Sequence, residues 1–309
     1  MSSMDKYWQL EKGSKAERVY KNLEKQIEKV FKHCRQGSIK TRVRYENGVK
    51  HLAKFLAESY NKQNMNNITN GHLEAYVEQA QEAGYSSSYL TTNMSAIKFF
   101  IDQTKNSSYI KTNEELGVIP RGSEERLGPS RSWSQNEIQN MQELAVEKGF
   151  ERVADMIKLS HLQGLRIHEV TRLERVDLQK SLSSGQLTVK GKGGLVRNVP
   201  IRNQESRDHL QKLINQTKVR DSKIFVNPGE KAHQVIKQAQ NFISNNRHLV
   251  QEERIDNQAN ITFHGIRHTY TCERYVELRG QKLNDYAARL QVSKELGHFR
   301  VEITNIYLK

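Results

Sequence analysis

One short stretch interrupts a sequence that otherwise shows helical patterns, and this stretch limits the possible folds most. Residues 186–190 and 196–201 resemble two short strands, joined by the glycine-rich turn GKGG. Before them, apolar residues follow helical spacing at 134–148 and 151–162, and helical spacing resumes from residue 231. We therefore predict a mainly α chain with a small antiparallel β-sheet.

The chain divides into two parts around a segment with little periodicity. Residues 15–105 contain helical patterns preceded by serine or threonine, as helix N-caps require. Residues 106–132 hold two of the four prolines and three glycines, which is typical of a linker. A length of 309 residues suits two domains that each bury a core. We predict a helical N-terminal domain at 1–105, a linker at 106–132 and a second, α+β domain at 133–309.

The net charge points to an anionic partner. The chain has 49 Lys and Arg against 35 Asp and Glu, a formal charge of +14 with neutral histidines. Nucleic acid is the leading candidate. Aromatic residues make up only 7%, which is few for a protein that stacks single-stranded bases. Double-stranded DNA, held through its phosphates, is therefore the predicted partner.

The basic residues are concentrated near the N-terminus. Residues 15–54 contain twelve Lys or Arg against four Glu. Residues 39–60 place an apolar stripe on one helix face and Lys40, Arg44, His51 and Lys54 on another. The linker adds three arginines: Arg121, Arg126 and Arg131. We predict that Lys40, Arg44, Lys54 and these arginines bind DNA; the alternatives are a solvated helix face and a linker charged for solubility.

Membrane and disulfide-rich classes are disfavoured. No run approaches eighteen apolar residues, and the N-terminus lacks the apolar segment of a secretory signal. Cys34 and Cys272 cannot form a disulfide framework or a zinc tetrad. A reducing cytoplasm is the expected location.

Four short motifs in the second half carry the candidate chemistry. They are GLRIHE (164–169), VKGKGGLVRNVP (189–200), FHGIRH (263–268) and ELGHFRVEITNIYL (295–308). A phosphodiester gains negative charge in its transition state, and two guanidinium groups such as Arg166 and Arg267 could hold it. His264 lies three residues before Arg267, so both share a helix face that Thr262 could cap.

A phosphoryl-transfer reading also needs a nucleophile and an acid. A tyrosine hydroxyl with a pKa near 10 needs a base such as imidazole to act at neutral pH. Lys192, at the hairpin tip, could give a proton to the leaving oxygen. Two ordinary readings stay open: Arg166 and Glu169 could form a local ion pair, and His264 and His268 could be one edge of a metal site. No third ligand is apparent, so no metal is predicted.

The order and spacing of these motifs resemble the catalytic domain of tyrosine recombinases (integrases). The resemblance covers about residues 131–309, and a helical core-binding domain would match 15–105. Glu169 matches the acid of the GLR-x-x-E motif, and Arg197 and Pro200 match the R-x-V-P that follows the hairpin lysine. Six positions match the family's catalytic residues: Arg166, Lys192, His264, Arg267, His298 and Tyr307.

The resemblance implies a defined reaction. Tyr307 would attack the scissile phosphate and form a 3′-phosphotyrosyl bond, while Arg166, Arg267 and His298 hold the phosphate. His264 would be the general base, Lys192 the general acid, and Glu169 a supporting residue. The covalent intermediate conserves the bond energy, so neither ATP nor a metal cofactor would be needed.

Rival residues exist for two of these roles. Tyr270 and Tyr275 lie on what should be a core helix, and Tyr286 precedes the Gly-His turn, so Tyr307 is the preferred nucleophile. Lys190 lies in the strand instead of the turn, so Lys192 is preferred.

The resemblance predicts a site-specific recombinase, and more narrowly the integrase of a mobile element. A resolvase or invertase would share the same chemistry, and an inactive DNA-binding relative or a type IB topoisomerase are the alternatives. A homotetramer on paired sites is expected from the family, together with an accessory directionality factor. Only Leu308 and Lys309 follow Tyr307 in this sequence, so we expect the usual C-terminal exchange between protomers to take another form.

Overall fold

The computed structural model describes residues 8–104, 109–120, 129–217, 219, 222–254 and 259–308, without the side chains of Lys192 and Ile303. The chain forms two compact units, residues 1–123 and 124–309. Within the described part, helices dominate and a single two-stranded antiparallel sheet is present. The predicted fold class is confirmed. No described helix is long and apolar enough to cross a membrane.

The described residues of the first unit contain four α-helices. Its helices are α1 (Lys15–His33), α2 (Ile39–Tyr60), α3 (Asn70–Glu82) and α4 (Ser87–Gln103). Ser14, Ser38 and Ser86 cap three of them by accepting backbone N–H groups of the first turn. Leu23 and Leu52 are fully buried in a core that α1, α2 and α4 share.

His51 does not lie on the polar face that the periodicity predicted. It is only 7% exposed, and its Nδ1 lies 2.8 Å from the Tyr76 hydroxyl. The ring of Trp8, from the segment before α1, packs edge-on against it at 4.6 Å. The prediction was wrong because aromatic residues from distant segments widen the buried face of α2.

The segment after α4 also contributes to this core. Leu116 and Val118 are buried in it, although they lie beyond residue 105, where helical periodicity ends. Irregular backbone can therefore pack without giving a periodic signal. The position of the linker stays a prediction, since residues 121–128 lie outside the described part.

The second unit contains nine helices among its described residues and the hairpin. They are α5 (Gln135–Glu147), α6 (Glu151–Gln163), α7 (Ile167–Val170), α8 (Arg175–Ser184), β1 (Gln186–Lys190), β2 (Val196–Pro200), α9 (Gln204–Gln216), α10 (Ala232–Val250), α11 (Phe263–Gly280), α12 (Asp285–Leu296) and α13 (Val301–Thr304). Helix α6 is central: it packs against α5, α9 and α11. Ile157 of α6 and Ile266 of α11 are fully buried in this core.

The hairpin has the predicted position. Leu187 pairs with Val199, and Val189 with Arg197. Leu187, Val189, Arg197 and Val199 point inward, while Thr188 and Asn198 between them are exposed. The connecting turn needs Gly193 at a φ of 73°, a left-handed conformation that favours glycine. A charged Arg197 thus shares the buried face of the sheet, with consequences for the site.

Candidate active site

Arg166 is placed by a sharp reversal of the chain. Gly164 ends α6 at a φ of 59°, and a Cβ there would lie 2.5 Å from the Tyr270 ring. Only glycine permits this approach of α6 to α11. Two residues later, the Arg166 backbone N–H donates to Glu169 Oε2 at 2.8 Å and its Nη1 donates to Glu169 Oε1 at 3.1 Å. Arg166 and Glu169 form the local ion pair considered above, and the Arg166 side chain remains 23% exposed.

Arg267 is a fully buried cation in the second turn of α11. Its Nη1 donates to the Gly164 carbonyl at 2.7 Å, and its Nη2 donates to the Leu296 carbonyl. Burial and the positive charges of Arg166 and Arg197 lower its pKa to about 10. Arg267 therefore stays charged at neutral pH, and these two bonds to carbonyls join α11 to the segments that carry Arg166 and His298.

His298 joins the two arginines. It follows Gly297, which ends α12 at a φ of 72°. Its Nε2 lies 3.3 Å from Arg166 Nη2 and 3.5 Å from Arg267 Nη2. A guanidinium can only donate, so Nε2 accepts and the ring is neutral. Burial and the same two arginines lower the pKa of His298 to about 4, which keeps the ring neutral at physiological pH.

Tyr307 lies at the centre of this group. Its hydroxyl is 3.3 Å from His298 Nε2, and the residue is only 7% exposed. The Cys272 thiol donates to its carbonyl at 3.0 Å. Its ring packs against that of His268, with 4.4 Å between centroids. The structure thus brings Arg166, Arg267, His298 and Tyr307 together, although they lie on four separate segments.

The rival tyrosines lie elsewhere. Tyr270 is fully buried, and its hydroxyl donates to Glu295 Oε2 at 2.8 Å. The Tyr275 hydroxyl donates to Asp285, and Tyr286 is 65% exposed. Among the described residues, Tyr307 is the tyrosine with a hydrogen bond to His298.

His264 lies in the first turn of α11, on the exposed side. Its ring centroid is 6.5 Å from that of Tyr307 and 5.3 Å from that of His268. Desolvation of the ring by the protein, together with the positive charges of Arg267, Arg166 and Arg131, lowers the pKa of His264 to about 4. Helix α11 is not capped by the Thr262 side chain, contrary to expectation. The Thr262 carbonyl instead accepts from Trp133 Nε1 at 2.9 Å, which fixes the helix start by another route.

The backbone of Lys192 lies in the turn between β1 and β2, and its side chain is not among those that the structure describes. Its rival, Lys190, is exposed at the end of β1. The hairpin places Lys192 at its tip, as predicted from the sequence. The proton-donor role of Lys192 remains a prediction.

A buried ionic network supports the site, and sequence reasoning missed most of it. Arg197 donates to both Glu169 oxygens at 2.8 and 2.7 Å and to the Glu295 carbonyl at 2.7 Å. The Glu295 carboxylate accepts in turn from Arg274. Burial alone would raise the pKa of Glu169, but Arg197 lowers it to about 2. These bonds join the hairpin to α7 and α12 directly behind Arg166 and His298. In the sequence, the signal that could have revealed the network was a charged residue, Arg197, at an inward position of a predicted strand.

The predicted DNA-binding residues differ in how exposed their side chains are. Lys40 is exposed, Lys54 is half-buried, and the Arg44 guanidinium lies 5.0 Å from the Tyr89 ring centroid. Arg131 is exposed in the second unit. Its backbone carbonyl lies so close to Gly265 that a side chain at position 265 would collide with it. Arg121 and Arg126 lie outside the described residues. DNA contact by these six residues remains a prediction.

Family comparisons match both parts of the chain. The model described as "Phage integrase family" matches residues 133–309. A second, described as "Phage integrase, N-terminal SAM-like domain", matches residues 28–105. None of the curated proteins matches the chain.

Solved structures with a similar fold include two integrases. The Tn1549 transposon integrase in complex with transposon right end DNA is 15% identical, with a TM-score of 0.59, over 94% of this chain and 94% of that one. A lambda integrase dimer bound to a COC′ core site is 14% identical, with a TM-score of 0.61, over 95% of this chain and 77% of that one. A lambda integrase tetramer bound to a Holliday junction is 13% identical, with a TM-score of 0.61, over 97% and 82%. At these identities, the likeness is one of fold.

Proposed function

The chain belongs to the phage integrase family and is a tyrosine-type site-specific DNA recombinase, and from that premise we propose that Tyr307 is its nucleophile. The observation that carries the proposal is the position of the Tyr307 hydroxyl, 3.3 Å from His298 Nε2. His298 in turn contacts the guanidinium groups of Arg166 and Arg267. A phosphate bound by these two cations would lie next to the tyrosine oxygen.

The proposed reaction exchanges one phosphodiester bond for another. Tyr307 Oη bonds to phosphorus while the bond from phosphorus to the 5′ oxygen breaks, and Lys192 gives that oxygen a proton. Arg166 and Arg267 stabilise the charge that the phosphoryl oxygens gain. Glu169 acts as a positioning residue, because it touches Arg166 and not the phosphate. The reverse reaction on a new strand restores Tyr307.

The phenolic proton passes to His264 in this proposal. The lowered pKa of His264, about 4, leaves its ring unprotonated and able to accept at neutral pH. His298 Nε2 lies closer to Tyr307 Oη but already faces two guanidinium groups. The pH dependence of the cleavage rates of His264→Gln and His298→Gln distinguishes the two candidate bases. The variant that lacks the base cleaves faster as pH rises towards the tyrosine pKa of about 10.

The partner we propose is double-stranded DNA bound by a homotetramer on paired sites, assisted by an accessory directionality factor. Matches to integrases in complex with DNA, one of them a tetramer on a Holliday junction, support this proposal. Lys40, Arg44, Lys54, Arg121, Arg126 and Arg131 are the candidate phosphate contacts. We further propose that the DNA belongs to a mobile element and that the protein works in the cytoplasm, at the nucleoid.

The test is covalent trapping on nicked duplexes that contain the DNA to which the protein becomes attached in cells. A 5′ fragment lost beyond the nick prevents religation, so the wild-type chain accumulates as a protein–DNA complex, and Tyr307→Phe does not. An inactive DNA-binding relative would bind without trapping. A type IB topoisomerase would relax any supercoiled plasmid in catalytic amounts. Trapping that persists in Tyr307→Phe overturns the assignment.

A further inference from the structure

A cleft of about 400 Å³ opens beside Arg166 in the second unit. At one end it is lined by Arg166, His168 and His264. At the other end it is lined by Gln240, Ser244 and Arg247 from α10. None of its lining residues is acidic. Because Arg166 belongs to both, the cleft is continuous with the site where the scissile phosphate would bind. Most of its lining residues lie outside that site.

Arg247 is a cation without a protein partner among the described residues. It is half-buried, yet no hydrogen bond or ion pair of its side chain is present there. Other partly buried arginines of this unit are paired: Arg202 donates to Glu277 at 2.6 Å and Arg254 to Glu137. Arg247 lies in the last turn of α10, where a cation is favourable to the helix dipole. That effect does not require it to face a cleft.

The polar groups of α10 form a line along one face. Gln240, Ser244 and Arg247 are spaced by four and three residues, so an amide, a hydroxyl and a guanidinium follow one another along the helix. All three can donate hydrogen bonds to phosphate oxygens. At the opposite wall, burial lowers the pKa of His168 and His264, so Arg166 and Arg247 are the charges that the cleft presents at neutral pH.

We propose that this cleft binds the DNA phosphate next to the scissile one, with Arg247 as its ion-pair partner and Ser244 and Gln240 as hydrogen-bond donors. This inference rests on the proposed function, because Arg166 defines where the scissile phosphate lies. Two adjacent phosphates on one strand are then held by two separate arginines, one on each side of the cleft. The second contact fixes the direction of the strand and so orients the scissile bond towards Tyr307.

The experiment combines Arg247→Gln with a neutral methylphosphonate at each phosphate that flanks the cleavage site, one position at a time. Binding is measured in a Tyr307→Phe background, so that the readout does not depend on cleavage. Lys237→Gln is the matched control, since Lys237 is an exposed cation on the same helix but does not line the cleft. Arg247→Lys, which keeps the charge, and thermal unfolding of each variant identify any loss of folding.

We expect Arg247→Gln to weaken binding about tenfold, as loss of a charged hydrogen bond predicts. At one flanking position, the methylphosphonate weakens binding in the parent but adds no further loss in Arg247→Gln, whereas it still acts fully in Lys237→Gln. The slope of log K against log salt on a mixed-sequence duplex falls by about 0.9. Additive losses at every position, or an unchanged slope, overturn the inference. Failure of Tyr307 trapping with this coupling intact would overturn the proposed function alone.

Discussion

Arg197→Met removes the buried cation that joins the hairpin to the site. The Arg197 side chain is 3% exposed and that of Glu169 is fully buried. Methionine keeps the length and apolar stem of the side chain but loses both bonds to Glu169 and the bond to the Glu295 carbonyl. Glu169 keeps Arg166 at 3.1 Å and Arg267 at 3.8 Å. The substitution therefore leaves a buried carboxylate with its weaker partners.

The structure sets the size of the expected effect. A Glu169 pKa of about 2, against an ordinary value of 4.5, corresponds to about 3 kcal/mol of stabilisation of the carboxylate. Breaking a buried ion pair from one side costs about 3–5 kcal/mol. With two arginines remaining, we expect about 3 kcal/mol. Because the folded pKa of Glu169 is depressed, its stabilisation is present above pH 4.5 and is lost as pH falls from there towards 2, so the variant differs most from wild type near neutral pH.

Urea unfolding followed by tryptophan fluorescence measures this loss. The two tryptophans lie one in each unit, Trp8 in the first and Trp133 in the second, and both are buried. A Trp8→Phe background thus reports the second unit alone. Lys158→Met is the control, because Lys158 pairs with Glu205 at the surface, where an ion pair contributes about 1 kcal/mol or less. A loss in Arg197→Met no larger than that of the control would mean that Arg197 does not stabilise the buried Glu169 carboxylate.

Three further predictions concern the same site. Gly164→Ala should cost at least about 2 kcal/mol and lower single-turnover cleavage, because a Cβ would lie 2.5 Å from Tyr270; Gly149→Ala, with a similar φ of 74° and open space, should cost only about 1 kcal/mol and spare cleavage. Because the pKa of both His264 and His298 is lowered to about 4, cleavage rates should show no imidazole titration between pH 8 and 6 and should fall only below about pH 5; a midpoint near 6.5 would contradict these values. Lys192→Ala should cut DNA slowly, and a 5′-bridging sulfur, which leaves without a proton, should restore the rate; no rescue would remove Lys192 as general acid.

Local signals account for what could be predicted from the sequence. The hairpin was predictable because strand pairing and a glycine turn involve adjacent residues, and Ser86 caps α4 where a capping serine was expected. His51 was misplaced because the aromatic rings that bury it come from Trp8 and Tyr76, far away in the chain. Helical spacing describes one helix and carries no information about its neighbours.

The buried ionic network around Arg197 could not be predicted without knowledge of the fold. Arg197 could be singled out by its inward strand position and by the resemblance, but its partners could not be predicted, because Glu169 and Glu295 lie in other motifs. The distances that place His298 beside Tyr307 also depend on the turn between α12 and α13. The motifs predicted the site residues one by one, but the packing of the fold determines which of them lie together.

Identifying the amino acid that carries DNA after trapping tests the role of Tyr307 most directly. The wild-type complex is digested with nuclease and protease, and the peptide with a residual nucleotide is sequenced by mass spectrometry. We predict a 3′-linked nucleotide on Tyr307 and none on Tyr270, Tyr275 or Tyr286. A nucleotide on any other residue, or one linked through its 5′ phosphate, would contradict it.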